Sequence, residues 1–335
     1  MTVPRTKAED YSSHWVNLAS AKLGACARIC SDDFFASMHR MLNDEPPVWQ
    51  EGVFDDHGKW MDGWESRRRR TPGHDWCVVQ LARPGAIHGV EIDTRFFTGN
   101  YPPEISVEAC ISEHEIPDEK VNWHEIVRRS PVQGDSFHQY PLDGEGPFSH
   151  VRLNMFPDGG LARFRVYGEP RVDWEAVQND AVDLASALNG AIALSCNDQH
   201  YGDIRYLLTP GRGVNMGDGW ETRRRREPGN DWVIIALAHA GTIESIDIDT
   251  AHFKGNYPES VDIRGARLRA ISLESLESQS ESWETLLEKS PLSADAEHHF
   301  SKVNPIGPIT HVRVNIHPDG GLSRVRLFGK IALPA

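Results

Sequence analysis

The sequence predicts an all-β protein of two tandem jelly-roll β-sandwich domains, with short helical segments. Three observations carry that prediction. The chain repeats itself once, at a spacing of about 160 residues, too long for a solenoid and right for a domain. Each half consists of short apolar or alternating runs, cut by Gly and Pro at hairpin intervals. No Gly-rich loop joins a strand to a helix, which disfavours a nucleotide-binding α/β fold.

The repeat is legible block by block. "DGWESRRRRTPGHDW" from Asp62 returns as "DGWETRRRREPGNDW" from Asp218, and Asp62–Pro102 matches Asp218–Pro258 at 24 of 41 positions. "HVRLNMFPDGGLARFRVYG" from His150 matches "HVRVNIHPDGGLSRVRLFG" from His311 at 12 of 19. A weaker echo pairs the segment at Leu18 with that at Leu184. Blocks in the same order in both halves mean duplication of a whole domain, so the predicted domains are 1–170 and 171–335. Within the first half, "WCVVQLA" reads as an apolar strand, "RPG" as a turn and "AIHGVEIDT" as an alternating strand. "ISVEACIS", "HVRLNMF" and "RFRVYG" read as further strands, and "PDGG" at Pro157 and Pro318 as a turn with glycine at positive φ. Trp174, Val177, Ala181, Leu184 and Leu188 recur at helical spacing, which predicts a helix from Asp173, stopped at Gly190.

Composition narrows the class. The chain has 335 residues, 39% of them hydrophobic and 25% charged, which fits two globular cores. No apolar run is long enough to span a bilayer, and the N-terminus lacks a signal-peptide core, so a cytoplasmic location is expected. Five cysteines cannot all pair internally and read as reduced packing residues. An excess of 49 acidic over 35 basic residues argues against nucleic acid as a partner. The histidines form no HExxH and no compact cluster, so neither a metal nor another cofactor is expected.

The order of elements within one half resembles the galactose-binding, discoidin-type jelly roll, a fold that hosts both binding modules and enzymes. The blocks "DGWE-RRRR-PG-DW", "IDT-F-GNYP" and "HVR-N--PDGGL-R", each present twice, resemble the allantoicase family over roughly Leu18 to Gly329. That resemblance implies a hydrolase acting on a linear amidine-type C–N bond, converting allantoate to ureidoglycolate and urea in purine catabolism. It also implies a small-molecule substrate and assembly into a homo-oligomer. The alternative is a non-enzymatic tandem module that binds a small polar or anionic ligand.

The candidate residues follow from the chemistry of such a ligand. If the arginine run is extended, Arg68 and Arg70 share one face, as do Arg224 and Arg226 in the second copy. Their guanidinium forks match a carboxylate, although charges on an edge strand would also look like this. Glu65 and Glu221 are candidates to accept ureido N–H groups or move a proton, or else to pair with the arginines. Asp62 and Asp218, each before Gly, read as structural turn residues. Trp64, Trp76, Trp220 and Trp232 read as core aromatics. "DTAHFKGNYP" places His252, Lys254 and Asn256 on one loop, where His252 is a candidate proton carrier, Lys254 a carboxylate ligand and Asn256 a ureido reader. Asn100 matches Asn256 in the first copy. The pleat aligns His150, Arg152 and Asn154 on one face, and His311, Arg313, Asn315 and His317 on its counterpart, giving either a pocket wall or a polar outer face. The copies differ at His74/Asn230, Phe96/His252 and Thr98/Lys254, so two inequivalent pockets are expected.

Overall fold

The apolar run that begins at Asp75 becomes one 19-residue strand, Asp75–Asp93, in the computed structural model, which describes residues 10–269 and 272–332. The expected turn at "RPG" is instead a bend inside this strand, marked by a register shift between Gln80 and Gly85. Before the bend the strand pairs with Cys26–Cys30 and with the end of Phe137–Phe156. Beyond it the strand pairs with Arg163–Pro170 and with the start of Phe137–Phe156. One strand thereby contributes to both layers of a sandwich, and irregular pairing is what lets it turn the corner. Glu104–Cys110 and His124–Pro131 complete the antiparallel path. Apolar side chains fill the interior, among them Val79, Ile87, Val90, Val107, Val151 and Leu153, all fully buried.

The second unit repeats this plan. The chain divides into Met1–Arg171 and Val172–Ala335. In the latter, Asp231–Asp249 is the bent strand and pairs with Ile309–His317, Arg324–Ile331 and Ile192–Cys196. An α-helix at Leu273–Ser280, which the sequence reading missed, lays Leu276 against Ile234 and Trp283.

The helix expected between Asp173 and Gly190 does not form. Val182–Asp183 pairs as a strand with Phe328–Gly329, and only a 3-10 turn, Ala187–Asn189, precedes Gly190. The Asp183 carboxylate accepts from the N–H groups of Ala185 and Leu327, which commits the segment to the sheet edge. Leu184 is fully buried there, so tertiary pairing outweighs the helical spacing. Trp64 and Trp220 are core residues, but Trp76 and Trp232 are only half-buried on the opposite side of their strands. Asp62 and Asp218 are more than turn residues. Each is buried and holds a buried arginine, Arg163 or Arg324, at 2.8 Å.

His150 is fully buried, with its ring nitrogens beside Ser149 Oγ and the Glu115 carbonyl. Burial pushes the imidazoles of His150 and His311 below their usual range. An unfolded chain therefore binds those protons more readily than the folded one. Stability from both groups is complete above the unfolded imidazole value of about 6.5 and is lost as pH falls through the depressed folded values. Urea midpoints should fall as pH is lowered from about 7 to about 5, and His150→Gln should flatten that slope whatever it does to the absolute midpoint.

Candidate active site

The two repeated motifs meet at one end of each unit. Trp64–Glu65 pairs with Gly160–Leu161, and Trp220–Glu221 with Gly321–Leu322. The tryptophans anchor this junction by donating their indole N–H to the carbonyls of Asp32 and Asp198, at 2.9 and 2.7 Å. The arginine run then crosses the PDGG turn. Arg69 N–H and Arg225 N–H donate to Asp158 and Asp319, each at 2.9 Å. The turn needs glycine, since Gly159 and Gly320 lie at φ of 150° and 135°.

Each tetrad divides in two, as an extended run should. Arg67 and Arg223 engage Asp32 and Asp198, while Arg69 and Arg225 engage Asp75 and Asp231. Arg67 and its backbone outweigh the burial of Asp32 and hold that carboxyl below its usual range. The flanking Pro-Gly has a physical cause. Gly73 and Gly229 lie at φ of 126° and 125°, and a Cβ there would stand 2.9 or 3.0 Å from the guanidinium of Arg69 or Arg225. Arg68, Arg70, Arg224 and Arg226 are exposed and have no hydrogen bond or ion pair to another described residue.

In the first unit Asn100 Nδ2 donates to Glu65 Oε1 at 2.9 Å. Asn256 Nδ2 donates to Glu221 Oε1 in the same way. Burial pushes the Glu65 carboxyl up, and the Asn100 hydrogen bond offsets this only in part. In the second unit Glu221, Asn256 and Arg224 line one cleft of about 520 Å³. Arg224 also faces an adjoining cleft of about 390 Å³, together with Arg226 and the rest of its tetrad. A carboxylate, an amide and an unpartnered guanidinium on one wall can bind an anion that also carries N–H donors.

Among the lining groups that escaped the sequence reading are Tyr201, Glu259 and Asp319. Asp319 belongs to the repeated PDGG block and was legible there. Tyr201 and Glu259 stand opposite Phe35 and Pro103, so differences between the copies, rather than identities, were the signal.

Other candidates lie elsewhere. His252 takes a left-handed φ of 70°, as Phe96 does at 71°, and its Nε2 lies 2.7 Å from the Gly213 carbonyl. It is not among the residues lining the Glu221 cleft. Lys254 is exposed, 3.9 Å from Asp295. Arg152 pairs with Glu108 at 2.7 Å and lies over Trp123. Arg313 is buried, donates to Asn315 and Ser280, and lines a separate hollow of about 260 Å³ with Asp262 and His317. The pleat aligned Arg313, Asn315 and His317 correctly, but their partners are neighbouring side chains of the same sheet face and Ser280 at the end of the helix. Among the described residues no group of three His, Cys, Asp or Glu side chains is placed to hold a metal ion, and no helix is long and apolar enough to cross a membrane.

Comparison with known proteins places this architecture. The allantoicase repeat matches residues 16–171 and 182–332. A probable allantoicase from Pseudomonas fluorescens (strain Pf0-1) is 53% identical over 320 residues, covering 95% of this chain and 97% of its own. Probable allantoicase 2 of Burkholderia pseudomallei is 50% identical over 327 residues, covering 97% of each chain. The crystal structure of allantoicase from Saccharomyces cerevisiae superimposes with a TM-score of 0.80 at 37% identity, over 94% of this chain and 92% of that one. With both repeats matched and the whole fold shared, this chain belongs to the allantoicase family.

Proposed function

We infer that the chain hydrolyses allantoate to ureidoglycolate and urea, and that the cleft of the second unit is where it does so. The observation that carries this is the meeting of Glu221, Asn256 and Arg224 on one wall, in a chain 53% identical to a protein named as a probable allantoicase. Allantoate has a carboxylate and two ureido arms on one tetrahedral carbon. Arg224 pairs with the carboxylate. Asn256 gives its N–H to Glu221, which leaves its carbonyl oxygen to accept a ureido N–H. In the net reaction a C–N bond breaks and a C–O bond forms. One water proton ends on the departing urea nitrogen, and the hydroxyl ends on carbon. Urea leaves poorly unless protonated, so an acid must deliver that proton while a base relieves the water of its own. In this reading Glu221 takes the first task and Glu259, which lines the same cleft, the second. His252 does not carry the proton in this reading, because its Nε2 lies 2.7 Å from the Gly213 carbonyl. The five cysteines are all thiols, which supports a reducing compartment such as the cytosol.

Incubation of the purified protein with allantoate should release urea above the uncatalysed background. Folded protein that releases none, with and without added divalent metal, would remove this reading.

A further inference from the structure

The first unit repeats the constellation but changes two of its walls. Glu65, Asn100, Arg68 and the Asp158 turn match Glu221, Asn256, Arg224 and the Asp319 turn, with the same hydrogen bonds. Phe35 N–H donates to the Glu65 carbonyl as Tyr201 N–H donates to that of Glu221, at 3.2 and 3.1 Å, so Phe35 occupies the place of Tyr201. Pro103 follows "GNYP" in the first copy where Glu259 follows it in the second. The first unit therefore lacks one hydroxyl and one carboxylate. It also gains chain: thirty residues separate Phe35 from Glu65, whereas twenty separate Tyr201 from Glu221. The extra length includes the hairpin Phe54–Asp55 with Gly58–Lys59. Its His57 packs edge-on against Phe34 at 4.6 Å, and Phe34 in turn packs against Phe35 at 5.3 Å. Aromatic rings and a hairpin thus stand where the second unit is open and polar.

We propose that the first unit carries a second ligand site, which takes a carboxylate bearing a single ureido arm. This rests on the reading of the second-unit cleft as the allantoate site. Arg68 holds the carboxylate, and the Glu65–Asn100 pair reads the one ureido group. The aromatic side disfavours a second arm, because its N–H groups would lose water and find no acceptor. An unmet hydrogen bond of that kind weakens binding about tenfold or more. The site retains the carboxylate and the amide but has no counterpart of Glu259 to act on water, so it binds without turnover.

N-Carbamoylglycine is a stable probe with one carboxylate and one ureido arm. Titrated calorimetrically into the full chain, it should bind at a site that Arg68→Ala weakens at least about tenfold and Arg224→Ala leaves in place. Asn100→Ala should weaken the same site. Arg68 is exposed and unpartnered, so its substitution should leave the thermal midpoint unchanged. No binding of the probe, or binding abolished by Arg224→Ala and indifferent to Arg68→Ala, overturns the proposal. Urea release from allantoate, measured on the same preparation, separates the two readings. If urea appears but the probe does not bind through Arg68, only the second site falls. If no urea appears, the assignment of the second-unit cleft as the allantoate site falls as well.

Discussion

Glu221→Gln should lower kcat for urea release by about 10²- to 10⁴-fold, with KM moving little. Glutamine has the size of glutamate and can still accept from Asn256, so the wall of the cleft survives. What it cannot do is give up and recover a proton as the C–N bond breaks. Arg224→Ala should behave differently. An unpartnered guanidinium that holds the substrate carboxylate acts in the ground state and the transition state alike, so its loss should appear mainly as a raised KM, by about 10- to 100-fold. Steady-state urea assays over a range of allantoate concentrations separate the two patterns. Equal losses of KM and kcat in both variants would mean that neither residue has the role assigned. A protein that only bound its ligand would show no turnover to lose.

The arginine run shows what a sequence can and cannot reveal here. Alternation along an extended backbone predicts that Arg68 and Arg70 part from Arg67 and Arg69, and in both units only the latter pair is engaged by aspartates. That division depends only on local geometry. The partners of the other two, Asp32 and Asp75, lie on different strands or loops, and nothing in the spacing announced them. The Glu–Asn pairs required contact across 35 residues in each copy. The duplication marked the residues of each pair as one repeated framework, but it did not announce that each glutamate accepts from its asparagine. His252 misled for the opposite reason. A polar residue in a polar loop looks functional, yet its left-handed corner sends the ring toward Gly213, as the same corner sends Phe96 toward Trp49. The helix expected at Asp173 failed because spacing cannot weigh a sheet edge against a helix. The bent strands were read as two strands with a turn, because Gly and Pro mark both a turn and a bend.

The largest effect on stability is expected from Asp218→Ala. The Asp218 carboxylate receives Arg324 at 2.8 Å, and Arg324 is only 4% exposed. A second guanidinium nitrogen donates to the carbonyl of Asp218 itself, and Val214 N–H also donates to the carboxylate. Removing the carboxylate leaves a buried cation without its counter-ion, which costs about 3–5 kcal/mol. Domains of this size are stable by only about 5–15 kcal/mol, so the loss is a large share of the second unit's stability. Replacing both partners, as Asp218→Leu with Arg324→Met, should cost less than the single change, because no orphaned charge remains. Denaturant unfolding of the two variants tests this order. A double variant less stable than Asp218→Ala would mean that the aspartate contributes through its loop contacts rather than by neutralising Arg324. The equivalent Asp62–Arg163 pair offers an internal control. It has the same 2.8 Å contact in the first unit, so Asp62→Ala should destabilise that unit by a similar amount. It should leave unfolding of the second unit unchanged if the two sandwiches melt as separate cooperative blocks.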